Sequence, residues 1–311
     1  MQQYTEQVLR LLTAQKEGWP LAAKNFAGLE KVRTRAFNFD DVEIKVQFNP
    51  ERIVSSAAKV DAKSIEARPC FLCSKNRPKE QQGVKIGAYS VLVNPFPVFS
   101  QHFTIVGEEH LPQQIKGRLG DMLDLAASLP GFTLFYNGPK CGASAPDHFH
   151  FQAGNRGFMP LENELEQLKD QHSIKLRSFT SDAWAVKDGL RNFILLESPV
   201  KESVEKDFLK IYDAPEASDE EPMMNILAFY ENNAWKVVVF PRALHRPSQY
   251  FEEGEKNILI SPASVDMGGV LITPLEKDFD KLKPEDIHAI FRQVLYSEPA
   301  FNQFIQNLEH A

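Results

Sequence analysis

The 311 residues, 43% of them hydrophobic, suffice to bury a full core as one large domain or as two halves. A formal net charge of −7 argues against nucleic acid or a membrane surface as a partner, because both need a broad positive field, so an anionic ligand has to meet a local basic pocket. The start, Met1 to Gln7, has no basic n-region and no stretch reaches the roughly 18 apolar residues of a span, so a soluble, cytoplasmic protein is expected.

Apolar Val8, Leu11, Leu12 and Leu21 predict one or two amphipathic helices over residues 4–29, broken near Gly18 to Pro20. Val42, Ile44, Val46 and Phe48 alternate with period two and predict a strand over 42–48, followed by a loop of small and polar residues up to the cysteines. Short β-rich runs follow at 89–93, 103–106 and 132–136, with helical spacing over 111–127 between the last two. A strand is expected at 148–152 and a charged surface helix at 162–172. Further strands are read at 192–196, 226–230, 235–240 and 269–273, with Asn232-Asn233 as a hairpin turn and 213–222 as a linker. Pro284-Glu285-Asp286 opens a closing helix. Residues 103–112 and 238–247 share a strand, a short turn and a histidine at the same offset, a faint internal repeat pointing to two similar halves.

The segment His148-Phe149-His150-Phe151-Gln152 carries the most chemistry. On a strand His148, His150 and Gln152 share one face while the phenylalanines face the core, leaving a fixed polar row of the kind a nucleophile needs. An imidazole there can attack phosphorus and hold a labile adduct. Upstream, Asn137 to Pro146 is a loop of glycine, small residues and proline, in which backbone N–H groups, Asn137, Gly142 and Ser144 can meet phosphate oxygens. Gln152 cannot give up a proton at neutral pH, so the leaving group should depart unprotonated, as a phosphate or sugar phosphate does. The competing reading is a strand edge with two solvated histidines behind an ordinary turn.

Three cysteines form no even disulfide framework, and Cys70-x-x-Cys73 has zinc-knuckle spacing, the alternatives being a redox pair or plain buried thiols. His110 and His148 would complete a tetrahedral Cys2His2 set, structural because four protein ligands leave no open position. Arg242, His245 and Arg246 form the densest basic group of the second half and can meet a phosphorylated ligand.

Gly142-Ala143-Ser144 followed by His148-Phe149-His150-Phe151-Gln152 resembles the active-site signature of the histidine-triad superfamily, in its transferase branch of hexose-1-phosphate uridylyltransferases, diadenosine tetraphosphate phosphorylases and GDP-hexose phosphorylases. The resemblance implies that His150 carries the nucleotidyl group and that Gln152 replaces the third histidine of the hydrolases. It implies zinc at Cys70, Cys73, His110 and His148, and a nucleoside pocket along Asn94-Pro95-Phe96-Pro97, with His102 opening the next strand. Asn225-Ile226-Leu227, Phe240-Pro241-Arg242 and residues 261–269 look like the C-terminal half of a GDP-hexose phosphorylase. Asp147 is one residue more than the branch carries between Gly-Ala-Ser and the first histidine, and the second half has no His-x-His.

The expected fold is α+β, histidine-triad-like, with an N-terminal half over 1–175 holding the zinc site and His150, and a degenerate half over 176–311 with a closing helix. The expected function is a nucleotidyltransferase or phosphorylase acting on an NDP-sugar and a phosphate-containing acceptor through a nucleotidyl-histidine. The alternatives are a phosphorylase or hydrolase of diadenosine polyphosphates and a non-catalytic nucleotide sensor or zinc-stabilised scaffold. Tandem halves can satisfy the pairing that single-half relatives achieve by dimerising, and a homodimer stays open.

Overall fold

Residues 2–53, 62–215 and 221–310 are described by the structure, a computed structural model. The loop expected before the cysteines and the linker expected at 213–222 fall in part on 54–61 and 216–220, which lie outside the described residues. α1 (Gln2–Gly18) and α2 (Pro20–Gly28) are separated at the expected break, with Pro20 in the first turn where its missing N–H costs nothing. β1 (Arg33–Phe39) and β2 (Val42–Phe48) form a hairpin. β13 (Val270–Thr273), from the far end of the chain, joins β2 in parallel. β1 has no apolar alternation to announce it, because arginines stand where apolar residues would. The Arg33 guanidinium lies 4.9 Å from the Phe279 ring centre, and that of Arg35 lies 4.9 Å from Phe37. A short helix, α3 (Ala62–Glu66), leads to the cysteines.

The main sheet has ten strands, all antiparallel. From one edge inward they are β3 (Gly83–Ile86), β4 (Tyr89–Val93), β5 (His102–Gly107), β7 (His150–Asn155) and β6 (Phe132–Asn137). β11 (Met224–Glu231), β12 (Ala234–Pro241), β10 (Asn192–Ser198), β9 (Asp182–Lys187) and β8 (Ser173–Leu176) then run out to the other edge. Counted from each edge, both series place their fifth strand between the third and the fourth. Each also inserts a helix before its fourth strand: α4 (Leu119–Ser128) in the first and α6 (Lys201–Asp213) in the second. The series meet at β6 and β11, where Asn137 stands opposite Asn225. The tandem halves are thus real, but the repeat read from sequence is misaligned. β5 corresponds to β10 and β12 to β7, so His110 and His245 are not counterparts. A histidine at a matching offset is too little information to fix a strand's place in a sheet.

The two series differ where it matters for chemistry. β6 and β7 are joined by the long segment 138–149, whereas β11 and β12 are joined by the two-residue turn Asn232-Asn233, both at positive φ. Of these two connections, that of the first series is the one long enough to form a loop. One face of the sheet buries Phe149 and Phe151 with α1, α4 and α6. The other is filled over the second series, where Phe193, Leu195, Val238 and Phe240 pack with three helices, α5 (Pro160–Gln171), α8 (Glu276–Lys281) and α9 (Pro284–Val294). α7 (Ser264–Met267) lies between the two series, and α10 (Glu298–His310) closes the chain. Over β5 and β7 that second face carries polar side chains instead.

The helix expected over 111–127 begins only at Leu119, because Pro112 interrupts its start and Gly117 adopts φ +73°. In the non-helical stretch the Ile115 N–H donates to Glu221 Oε2 at 2.6 Å, and Tyr136 Oη donates to Glu221 Oε1 at 2.6 Å. Burial pushes the Glu221 carboxyl up to about 7, so the folded chain holds its proton through a pH range in which the unfolded chain releases it. Stability from this group is therefore lost as pH rises from about 4.5 to 7. The loss levels off at about 3 kcal/mol by the 1.4 kcal/mol equivalent of a pH unit. Urea titrations at pH 5 and 8 are expected to show a smaller drop for Glu221→Gln than for wild type; equal drops would place an ionised carboxylate there throughout. No helix among the described residues is long and apolar enough to cross a membrane.

Candidate active site

Phe149 and Phe151 anchor β7 in the core, and His150 and Gln152 emerge on the opposite face. His150 is 3% exposed, and its Nδ1 lies 2.9 Å from the His148 carbonyl. A carbonyl only accepts, so Nδ1 carries the hydrogen and Nε2 keeps its lone pair. Burial holds the imidazole down at about 4, which keeps it neutral and nucleophilic near pH 7.

His148 does not belong to that row. The strand begins at His150, and His148 sits on the preceding turn with its N–H on the Ala145 carbonyl and its ring aimed at the cysteines. The companions of His150 and Gln152 come from the neighbouring strand: Thr104 stands opposite Gln152, and His102 lies two residues further back on the same face. A cross-strand partner cannot be seen from spacing within one segment.

These side chains fix one another. The Val98 N–H donates to His102 Nδ1 at 3.2 Å, so Nε2–H donates to Gln152 Oε1 at 3.0 Å. Asn94 Oδ1 accepts from the Phe96 N–H at 2.9 Å, which leaves its amide nitrogen to donate to Thr104 Oγ1 (3.2 Å) and Gln152 Oε1 (3.3 Å). With two donors on the Gln152 oxygen, its NH2 group is turned outward and has no partner among the described residues. Arg52, which the sequence reading missed, donates from Nη1 to the Phe96 carbonyl at 2.6 Å, and its buried Nε has no partner among the described residues. Asn94, Phe96, His102, Gln152 and Arg52 thus form one wall. Burial first, and Arg52 second, drive the His102 imidazole down to about 3, so it serves as a neutral donor.

The loop 138–149 is held from the second half of the chain. Gly142 adopts φ +95°, and a Cβ there would lie 2.5 Å from that of Ala263. The Asn137 side-chain oxygen accepts from Asn225 Nδ2 (3.0 Å), Ser264 N (2.9 Å) and Ser264 Oγ (2.7 Å), leaving only its amide nitrogen to meet a ligand. Arg242 departs furthest from its expected role as a phosphate contact. It is 2% exposed and spends all five N–H groups on Asn225 Oδ1 and the carbonyls of Val294, Pro262, Leu244 and His245. It ties together chain segments that form the base of the loop and has no donor left for an anion. Ser144 is half-buried, and its carbonyl accepts from Arg68 at 3.4 Å. Asp147 has a partner as well: Arg68 Nη2 donates to its Oδ1 at 3.0 Å and stacks on Phe71, linking the loop to the cysteine knuckle.

Cys70, Cys73, His110 and His148 gather with their ligand atoms all within 4.8 Å of one another. Cys70 Sγ lies 3.4 Å from His148 Nδ1, Cys73 Sγ lies 3.2 Å from His110 Nδ1, and the two Nδ1 atoms are 3.2 Å apart. Tetrahedral donors around a single ion at ordinary Zn–N and Zn–S lengths are roughly 3.3–3.8 Å apart, so the set fits one metal ion. The tautomer fits too. His148 Nε2 lies 2.9 Å from the Gly107 carbonyl and must carry the hydrogen, which turns the Nδ1 lone pair into the cluster. Burial pushes the Cys70 thiol up to about 11, a cost that a bound cation offsets by favouring the thiolate.

Two family models match the sequence: a domain of unknown function (DUF4922) over residues 11–155 and the GDPGP1-like, C-terminal domain over 219–311. No curated protein matches. Among solved structures, yeast Ap4A phosphorylase Apa2 in complex with Ap4A superposes with a TM-score of 0.60 at 16% identity, covering 91% of this chain and 97% of that one. The same enzyme in complex with AMP gives a TM-score of 0.56 at 16% identity, over 89% and 96%. The two series of five strands follow this shared fold, and the GDPGP1-like region covers β11, β12 and the closing helices. The chain thus shares the fold of yeast Ap4A phosphorylase Apa2, and its residues 219–311 match the GDPGP1-like, C-terminal domain.

Proposed function

We propose that the protein is a nucleotidyltransferase or phosphorylase that works through a nucleotidyl group on His150. The observation that carries this is the fixed tautomer of a buried, neutral His150, with Nδ1–H on the His148 carbonyl and the Nε2 lone pair free. Nε2 attacks the α-phosphorus of a nucleotide donor, a P–N bond forms, and the P–O bond to the leaving phosphate or sugar phosphate breaks with its electron pair. A phosphate oxygen of the acceptor then attacks the same phosphorus and returns the pair to Nε2. The His148 carbonyl stabilises the positive imidazole between the two steps, while the outward NH2 of Gln152 and the N–H groups of the 138–149 loop hold the phosphoryl oxygens. No proton has to be supplied. Zinc at Cys70, Cys73, His110 and His148 would be structural and would stiffen the turn that presents His150.

An NDP-sugar donor is supported by the GDPGP1-like C-terminal match and by the resemblance of residues 261–269 to GDP-hexose phosphorylases. A diadenosine polyphosphate donor is the second reading, favoured by the likeness to Ap4A phosphorylase over 91% of the chain. Intact-protein mass spectrometry after incubation with GDP-hexoses, UDP-hexoses and diadenosine tetraphosphate, without acceptor, separates the two. The mass gained names the nucleotide, and no gain with any donor counts against covalent transfer. Gln152→Glu keeps the oxygen that His102 and Asn94 hold and turns the NH2 into an anion facing the phosphate. Adduct formation is expected to slow by about 10²–10³, the usual cost of one lost oxyanion donor. A wild-type rate in single-turnover assays would remove Gln152 from the phosphate site.

A further inference from the structure

The ladder between β6 and β7 stops early. Its last paired residues are Phe135 and Gln152, and in the same register Asn137 would face His150. There the strands part to release the loop, just where the nucleophile needs a fixed backbone. The side chain of Gln113, 1% exposed, fills the gap. Its Oε1 accepts from the His150 N–H at 2.9 Å, and its Nε2 donates to the His150 carbonyl at 2.9 Å and to the Asn137 carbonyl at 3.1 Å. One amide stands in for the missing stretch of strand and uses its whole hydrogen-bonding capacity apart from one oxygen lone pair. Buried backbone groups need partners, so an apolar side chain of equal volume would leave three of them dry.

The segment around Gln113 is itself anchored to the loop it supports. Its N–H donates to the Pro146 carbonyl at 3.0 Å, and the Leu111 carbonyl accepts from the Phe149 N–H at 2.7 Å. His110 of the metal cluster lies three residues upstream, and Ile115, held by Glu221, two residues downstream. Gln113 is thus fixed at both ends before it reaches His150.

We propose that Gln113 is a positioning residue for the transfer described above. It holds the His150 main chain at the point where β6 and β7 separate and so sets the direction of Nε2. The inference rests on His150 being the nucleophile, and its test has a readout that does not.

Gln113→Met keeps the volume and removes all three bonds; Gln113→Glu keeps the acceptor for the His150 N–H and loses both donors. In the metal-bound protein without nucleotide, the His150 amide should exchange about 10² times faster in Gln113→Met, and the His150 ring 15N shifts should leave the single Nδ1–H tautomer. With diadenosine tetraphosphate and GDP-glucose as probes, adduct formation should slow by about 10², the scale of a misplacement near 1 Å, with donor KM within about threefold. Gln113→Glu should fall between, and it carries the comparison if the methionine variant does not fold. Wild-type exchange and rate in both variants would overturn the proposal. So would a rise in KM at unchanged rate, which would make Gln113 a substrate contact. If the wild type itself forms no adduct, the nucleophile reading falls, and the exchange and ring signals still decide whether Gln113 holds His150.

Discussion

His150→Ala is expected to lose nucleotidyl transfer almost completely, by on the order of 10⁴–10⁶ in turnover, while remaining folded. The structure gives reasons for both parts. Nε2 of His150 is a lone pair held in one direction by a carbonyl on the other side of the ring, and His102, the nearby imidazole, is unsuited to replace it. Its Nδ1 accepts from Val98 and its Nε2–H is spent on Gln152, so it has no lone pair to offer phosphorus. The strand should survive because the bonds Gln113 makes are to the main chain of residue 150, which alanine retains. The loss of one hydrogen bond and the imidazole volume should cost about 1–3 kcal/mol. Turnover with whichever donor labels the wild type, measured beside a thermal melt, checks both. A variant that still gains the nucleotide mass, or turns over within tenfold of wild type, would place the nucleophile elsewhere.

How much of this was legible depended on whether a residue's partner lies nearby in sequence. The strands at 42–48 and 89–93 fall at the bounds that their alternation or β-rich composition set, because in each a single segment decides which side chains are buried. Cys70, Cys73, His110 and His148 are recognisable because their side chains allow few other uses together, and the fold brings them to one point. β1 was hidden by its arginines, whose stems and stacked guanidiniums replace apolar side chains. The counterpart of β7 was misplaced because strand order is a property of the sheet, not of any segment within it. Arg242, Gln113 and Arg52 show the same limit at the site. An arginine beside a histidine and another arginine reads as a basic patch, yet Asn225 and the Val294 and Pro262 carbonyls from elsewhere in the chain, with the Leu244 and His245 carbonyls next to it, consume Arg242 entirely. A glutamine in an amphipathic stretch gives no hint that two strands part beside it.

Removing the metal should cost more stability than any single packing change. The purified protein is expected to carry one zinc per chain, and Cys70→Ser or a strong chelator is expected to lower its melting temperature on the order of 10 °C. The cluster pins three segments distant in sequence: the knuckle after α3, the turn after β5 and the turn before β7. Structural zinc contributes about 10–16 kcal/mol in small zinc-dependent folds. A domain with its own large core depends on it less, but a loss of about 4 kcal/mol corresponds to that shift at roughly 2–4 °C per kcal/mol. The effect should also reach the chemistry. His148 offers its ring to the cluster and its carbonyl to His150 Nδ1, so freeing the ring loosens the group that fixes the His150 tautomer. Turnover should therefore fall at temperatures where the chelated protein is still folded, and zinc alone should restore it. Elemental analysis finding no bound metal, together with a Cys70→Ser variant that melts with the wild type, would leave the four residues as a buried polar cluster with no cation. In that case the turn before β7 would owe its position to the Arg68–Asp147 pair, the Gly107 carbonyl and the main-chain bonds to Leu111 and Gln113.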